Sequence, residues 1–279
     1  MDVVALGELL IDFTCQSVDG DGYPALDSAG IETRSILADD GVFTTLAFVT
    51  FDAQGDRSFS FARKPGADTQ LRWEEIDTAL IDDARVFHFG TLSLTDEPAR
   101  TATQKAIAYA KGKGKLISCD PNLRLPLWPS EDAAKAQILW SLRQADVVKI
   151  SDNEVEFLWG CTPEEGAEKL LAEYGVSLAM VTLGPEGCLL KTRNAVCRVR
   201  CPKVHPIDTT GAGDIFGGSA MARLLELEKP IQALTAEDLA YIGSFAAAAA
   251  SLSTEHSGGI PSIPEKDTVL RSMQDLCPL

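Results

Sequence analysis

A carboxylate stands directly after two glycines in Asp208-Thr209-Thr210-Gly211-Ala212-Gly213-Asp214-Ile215-Phe216. The apolar run that follows, Ile215 to Leu225, has helical spacing. Such an order makes a turn that feeds a helix N-terminus. The first backbone N–H groups there have no partner inside the helix, and the helix dipole adds partial positive charge. Gly211 and Gly213 let the backbone come closer to an anion than a side chain would allow. A phosphoryl group could lie at that turn, and Asp214 could take the proton of a hydroxyl that attacks it. Read as bare glycines, the same run would only cap a helix, and short glycine motifs have a high rate of chance matches.

Phosphoryl transfer also needs cations near the phosphates, a positioned acceptor hydroxyl and a metal. Candidates stand after short apolar runs, where α/β sheets place their ligand sites. Arg124 in Asp120-Pro121-Asn122-Leu123-Arg124 offers a fork of donors suited to phosphate oxygens, or is an ordinary solvated arginine. The acids of Ser151-Asp152-Asn153-Glu154-Val155-Glu156 follow Lys149 at a helix start, where the dipole alone favours them. Val181-Thr182-Leu183-Gly184-Pro185-Glu186-Gly187 reads as a β-turn if only its glycines are counted. Asp12 is a carboxylate able to accept two charge-assisted bonds from vicinal hydroxyls. His88, His205 and His256 support no catalytic triad, and His256 reads as a solvent-facing loop residue.

The elements that must hold these residues alternate. Val3–Leu6, Leu9–Phe13, Thr44–Thr50, Ser58–Ala62, Val86–Gly90, Leu116–Cys119, Val147–Ile150, Ala179–Thr182 and Gly187–Lys191 read as strands. Helices are expected around Trp73–Ile81 and over Glu97–Lys111, Ser130–Leu142, from Asp152, Pro163–Tyr174, Ala212–Leu227 and Ala236–Leu252. Strands alternating with helices imply parallel β-α-β units in a three-layer α/β sandwich. The segments flanking Asp52-Ala53-Gln54-Gly55 break that rhythm and read as a hairpin. The alanine run Ala246–Ala250 is a tightly packed helix face, or a surface on which a flat ring could lie.

The 279 residues, 45% hydrophobic and 24% charged, fit a soluble globular protein. A formal net charge of −16 argues against nucleic acid or an anionic membrane as a main partner. No apolar run reaches the ~20 residues that a membrane span needs. The N-terminus lacks a basic region and reads as a strand, not a signal peptide. The seven cysteines are odd in number and scattered, and Cys197 and Cys201 have no second pair to make a zinc site. Reduced thiols in a cytoplasmic protein are the expectation.

The string D-T-T-G-A-G-D-x-F resembles the C-terminal signature of the PfkB/ribokinase family of carbohydrate kinases, and within it the chain is most similar to fructokinases. The resemblance implies a ribokinase-like three-layer sandwich with a mostly parallel central sheet and a small β lid, here about 12–18 and 43–64. The whole chain, 1–279, would be a single domain. The reaction implied is ATP-dependent phosphorylation of a sugar hydroxyl, fructose to fructose 6-phosphate. Asp214 is then the catalytic base, the amides of Gly211, Ala212 and Gly213 form the anion hole, and Arg124 of the D-P-N-x-R string contacts the transferred phosphate. Thr182, Gly184 and Gly187 match T-x-G-x-x-G on the nucleotide side, with Thr210 and with Gly258 in the loop that borders adenine. In some members that loop also holds a monovalent cation such as K⁺. The family's N-x-x-E, whose glutamate organises Mg²⁺, fits two registers: Asn153 to Glu156 literally, or Ser151 to Glu154 when Lys149 and Phe157-Leu158 anchor it. The anchored register, with Glu154, is preferred. Asp12 and Arg63 of the R-x-P-G-A-D segment (Lys64 is the alternative) would orient the sugar. A homodimer through the lid also follows from the resemblance.

One part of the pattern has no counterpart. The family's first signature, a Gly-Gly pair and a later asparagine, is missing where Tyr23–Ser28 runs into Ala29–Thr33. Roughly 40 residues of the family pattern are absent between Ser28 and Ala29. Either a segment has dropped out of the written chain, or the protein lacks it and loses much of its sugar pocket. The apolar surface left bare in the second case favours the first. Bonded neighbours there would have Cα atoms ~3.8 Å apart. The alternatives to a fructokinase are a kinase for another acceptor, such as 2-keto-3-deoxygluconate or a nucleoside, and a catalytically impaired nucleotide-binding protein.

Overall fold

The computed structural model describes residues 1–7, 11–13, 30–51 and 57–273. The chain forms two compact units. One comprises Met1–Ile117 and Asn122–Ser141, the other Ser118–Pro121 and Leu142–Leu279.

The first unit contains β1 (Val3–Leu6), β2 (Ile11–Phe13), β3 (Leu46–Phe51), β4 (Arg57–Ala62), α1 (Thr78–Asp83), β5 (Val86–Gly90) and α2 (Ala99–Gly112). It also holds the start of β6 (Leu116–Asp120) and nearly all of α3 (Glu131–Leu142). β1 pairs in parallel with β5, Val3 opposite Val86 through Leu6 opposite Phe89. Val86, Phe87 and Phe89 are buried, so β5 is apolar on both faces, as a central parallel strand must be. α2 buries Ala99, Ala102, Thr103, Ala106, Ile107 and Ala110, a stripe at helical spacing. β2, β3 and β4 form a separate sheet in which β2 runs parallel to β3 and β4 antiparallel to it.

The second unit carries the end of β6, then β7 (Val147–Ser151), α4 (Asp152–Trp159), α5 (Pro163–Tyr174), β8 (Leu178–Thr182), β9 (Cys188–Lys191), β10 (Val196–Val199), α6 (Ala212–Glu226), α7 (Ala236–Ser253) and α8 (Lys266–Ser272). β6, β7 and β8 are parallel neighbours, while β9 and β10 turn back antiparallel. The strand order of the larger sheet is β1-β5-β6-β7-β8-β9-β10, so it is mostly parallel. Capping fixes the helices locally. Ser151 and Glu154 form a capping box at α4, Thr162 and Glu165 one at α5, and left-handed Gly160 and Gly175 end them. α7 packs its run Ala246–Ala249 into the interior, where Ala248 and Ala249 join Ile215, Phe245 and Val269. Helix packing therefore accounts for the alanines.

Two elements differ from expectation. The helix expected around 73–81 is split into a 3₁₀ turn, Trp73–Glu75, and α1, because the Asp77 side chain accepts from the Ala79 amide and starts the helix anew. β10 was not expected. Its four residues form a strand by pairing with β9, Val199 opposite Cys188. Several expectations lie outside the described residues: the hairpin turn 52–55, lid residues 14–18, and the junction of Ser28 with Ala29.

Candidate active site

In the second unit three parallel strands end side by side. Ser151 at the end of β7 pairs with Thr182 at the end of β8, and Cys119 of β6 pairs with Val148. Extending that register by one residue sets Asp120 opposite Lys149. Their side chains form an ion pair, Lys149 Nζ to Asp120 Oδ2 at 2.8 Å. Asp120 is buried and Lys149 nearly so, with 8% and 12% of their side chains exposed. Burial opposes the charge on Lys149. The charge and hydrogen bond of Asp120, with Glu154 and Asp214 adding their fields, more than offset it and hold the amine above its usual range.

The glycine-rich turn enters the same place. Gly211, at φ +76°, is the N-cap of α6, and Ile215 makes the first helical bond, to the Gly211 carbonyl at 2.9 Å. The Ala212 amide donates to Thr209 O at 3.3 Å. Among the described residues the next two amides, of Gly213 and Asp214, have no acceptor, as the first turn of a helix requires. Asp214 is the third residue of α6, and it is exposed. The turn is braced by Asp208, whose Oδ1 accepts from the Thr210 amide at 2.9 Å and whose Oδ2 accepts from the Gly258 amide at 3.0 Å. A methyl on Gly211 would come within 3.2 Å of Gly259 Cα, so the two loops are in close approach.

The unit thus brings together Gly211, Ala212, Gly213, Asp214, Thr210, Gly258 and Glu154. Glu154 is 7% exposed, and its Oε2 accepts from the Ser151 amide at 2.8 Å. Asn153 and Glu156, the literal N-x-x-E register, are exposed and line an open depression of about 490 Å³ with Asp152, Cys161 and Glu165. The anchored register is therefore the one whose glutamate acts on Lys149. Thr182 ends β8, with Oγ1 at 3.5 Å from Ile150 O. The turn after it closes on itself: Leu183 N donates to Gly187 O at 2.8 Å and Gly187 N to Gly184 O at 3.2 Å. Gly187 sits at φ +112°, where a methyl would be 1.9 Å from Val199 O, so this glycine has a packing reason of its own.

Asp12, Arg63 and Arg124 belong to the first unit. Asp12 is on β2 opposite Ala47. Arg124 is half-buried, and its Nη1 donates to Leu123 O at 3.1 Å. Arg63 is 8% exposed and tied down by Asp68 of its own motif and by Leu92 and Thr95 of the turn after β5. Nε donates to Asp68 Oδ2 at 2.7 Å, Nη1 to Thr95 Oγ1 at 2.9 Å and Nη2 to Leu92 O at 3.0 Å, with Nη2 also paired to Asp68. Among the described residues one guanidinium N–H has no acceptor. Thr45 donates to the other oxygen of Asp68. A methyl on Gly66 would lie 2.1 Å from Thr45 Oγ1 and 2.5 Å from Asp68 Oδ1. The R-x-P-G-A-D segment is a loop closed by its first and last residues. The five described cysteines, 119, 161, 188, 197 and 201, are unpaired, and no described helix is long and apolar enough to cross a membrane.

Residues 24–266 match the family described as pfkB family carbohydrate kinase. The chain belongs to that family. Its pfkB relatives include Fructokinase-1 of Zea mays, 41% identical over 246 residues, which are 88% of this chain and 76% of that one. The fructokinase of Vibrio cholerae O395 in its fructose-, ADP- and calcium-bound form superposes with a TM-score of 0.86 at 27% identity, covering 98% of this chain and 99% of that one. Fructokinase with bound ATP from Xylella fastidiosa gives 0.83 at 28% identity, covering 97% and 84%. The fold is ribokinase-like, as the pfkB signature implies.

Sequence reading missed three residues of this site. Lys149 is a lysine inside an otherwise apolar strand, Val-Val-Lys-Ile-Ser, and that signal was available. Asp120 and Asp208 stand inside motifs, but only the strand register and the loop packing give them their tasks.

Proposed function

We propose that this pfkB protein is an ATP-dependent fructokinase, transferring the γ-phosphoryl group of ATP to a hydroxyl of fructose to give fructose 6-phosphate. The observation that carries the reading is the pair of unbonded amides, Gly213 and Asp214, on the turn that also presents the Asp214 carboxylate. Asp214 takes the proton of the sugar hydroxyl. The sugar oxygen bonds to phosphorus as the bond to ADP breaks, and the amides receive the charge on the migrating group. Thr182, Gly184, Gly187, Thr210 and the Gly258 loop form the nucleotide side. Arg124 contacts the transferred phosphate, and Asp12 with the remaining N–H of Arg63 orients the sugar.

The donor set suits a hydrated divalent cation such as Mg²⁺. Asp120 Oδ1 is buried with no partner among the described residues, and buried Glu154 stands by. Three carboxylates, Asp120, Glu154 and Asp214, act on a single ammonium, Lys149, leaving negative charge for a cation to balance. Among the described residues no cluster of three or more His, Cys, Asp or Glu could hold a metal ion. Glu154 and Asp120 would hold it, and it would neutralise charge on the phosphates.

Support for fructose comes from the fructokinase relatives, and support for ATP from the ATP- and ADP-bound neighbours. Cytoplasmic residence fits the unpaired cysteines. The monovalent cation near Gly258 rests on family resemblance alone. A homodimer through the small sheet, the lid of this reading, is supported by Phe48, 41% exposed on β3. Sizing in solution tests it.

A second reading has its own observation. The Zea mays relative extends beyond the 76% matched here, and the family segment between Ser28 and Ala29 has no counterpart. If the sugar side is incomplete, the chain binds nucleotide without turnover. ADP release with MgATP and a panel of sugars, 2-keto-3-deoxygluconate and nucleosides tests both readings. Turnover that peaks on fructose supports the first, another acceptor replaces fructose, and nucleotide binding without turnover supports the second.

A further inference from the structure

Lys149 lies along the first turns of α6. A methyl on Gly217 would meet its Cδ at 4.0 Å, and one on Gly213 would meet Cε at 3.7 Å and Nζ at 2.9 Å. The stem uses the space that two absent side chains leave, and the ammonium ends beside the unbonded Gly213 amide. A helix N-terminus is the unfavourable end for a cation, since dipole and amides are already positive there. Burial adds to the penalty. The charge and hydrogen bond of Asp120, with the fields of Glu154 and Asp214, offset it and keep the ammonium charged at that spot, while the other Asp120 oxygen has no partner among the described residues. An ion pair that only joined β6 to β7 would gain nothing from a lysine laid against this helix start. The ammonium, the unbonded Gly213 amide and the positive end of the helix dipole meet at one spot, so a phosphoryl group placed there touches all three.

We propose that Lys149 is a catalytic cation, its Nζ meeting the transferred phosphoryl group at the Gly213 amide, with Asp120 as the positioning residue that holds it there. The proposal rests on the kinase reading of the same turn. Lys149 keeps its proton throughout. The only proton that moves goes from the sugar hydroxyl to Asp214, and the ammonium meets charge on the phosphoryl oxygens while the bond to ADP breaks and the bond to the sugar forms.

The test compares wild type, Lys149→Met, Lys149→Arg and the paired Asp120→Asn/Lys149→Met in steady-state kinetics with fructose and MgATP, with melting temperatures alongside. Without the ammonium, kcat is expected to fall on the order of 10²-fold while both KM values shift less than about threefold. Lys149→Arg recovers part of the loss, and kcat falls in variants whose melting temperature stays near wild type, which a purely structural role would not produce. A folded variant lacking the ammonium that keeps kcat within about threefold of wild type overturns the proposal. If Lys149→Met does not fold, the paired variant decides, because it leaves neither charge buried alone. If wild type turns over no sugar, the kinase reading fails, and Lys149 is judged by inorganic phosphate. Wild type then gains melting temperature with phosphate and the variants lose that gain, whereas an equal gain in all of them overturns it.

Discussion

Asp120 and Lys149, 29 positions apart in the chain, form a 2.8 Å ion pair at the ends of neighbouring parallel strands. The pair fixes the ammonium at the first turn of α6.

Asp214 stands on that turn without serving as a cap for it. Asp214→Asn keeps the shape and removes the proposed base. Its kcat is expected to drop by about 10²- to 10⁴-fold, with ADP affinity by calorimetry near that of wild type. Near-normal turnover would falsify the assignment.

Gly213→Ala separates activity from stability. Its methyl would press on Lys149 Nζ, the far end of a flexible side chain, so the fold yields at little expense. Displacing the ammonium is expected to lower kcat on the order of 10²-fold, with the denaturation midpoint almost unchanged. A large loss of stability with normal kcat would contradict this.

Gly187→Ala behaves in the opposite way. At φ +112° the methyl would collide with the Val199 carbonyl, a backbone atom that cannot swing aside. A loss of about 2 kcal/mol or more is expected in urea unfolding, from backbone strain plus the clash. A wild-type midpoint would show that the turn relaxes.

Asp68→Asn breaks a buried pair and leaves the Arg63 guanidinium uncompensated. About 3–5 kcal/mol of stability should go, and Arg63→Met/Asp68→Leu should recover part of it. Equal stability of the single variant and wild type would mean that Arg63 is not held through Asp68.

Asp238 gives a pH signature. Its hydrogen bond from Lys229, then the Thr235 amide, hold its carboxyl below the usual range, against burial. A folded pKa below the unfolded one stabilises above the unfolded value, about 3.9, and that contribution is lost as pH falls through the folded pKa. Asp238→Ala, which also loses the capping box, should be about 1 kcal/mol less stable at pH 7. The gap should narrow below about pH 4. A gap independent of pH in thermal melts would refute the linkage.

Local chemistry was legible in the chain itself. Gly211, Gly213 and Asp214 announce a helix start with open amides, because unpaired amides follow from any helix beginning and glycine from any close approach. Apolar runs such as Val86–Gly90 and Val147–Ile150 mark buried parallel strands, because both faces must avoid water. Ser151 with Glu154 marks a helix start by its spacing. Strand β10 escaped, since four residues become a strand only when β9 is there to pair with them. Tertiary structure alone decided which distant groups meet. Strand register set Asp120 against Lys149, packing of α6 laid Lys149 beside Gly213, and the fold closed Arg63 onto Asp68. Those pairings depend on through-space distance, which sequence spacing encodes only within a turn or a strand.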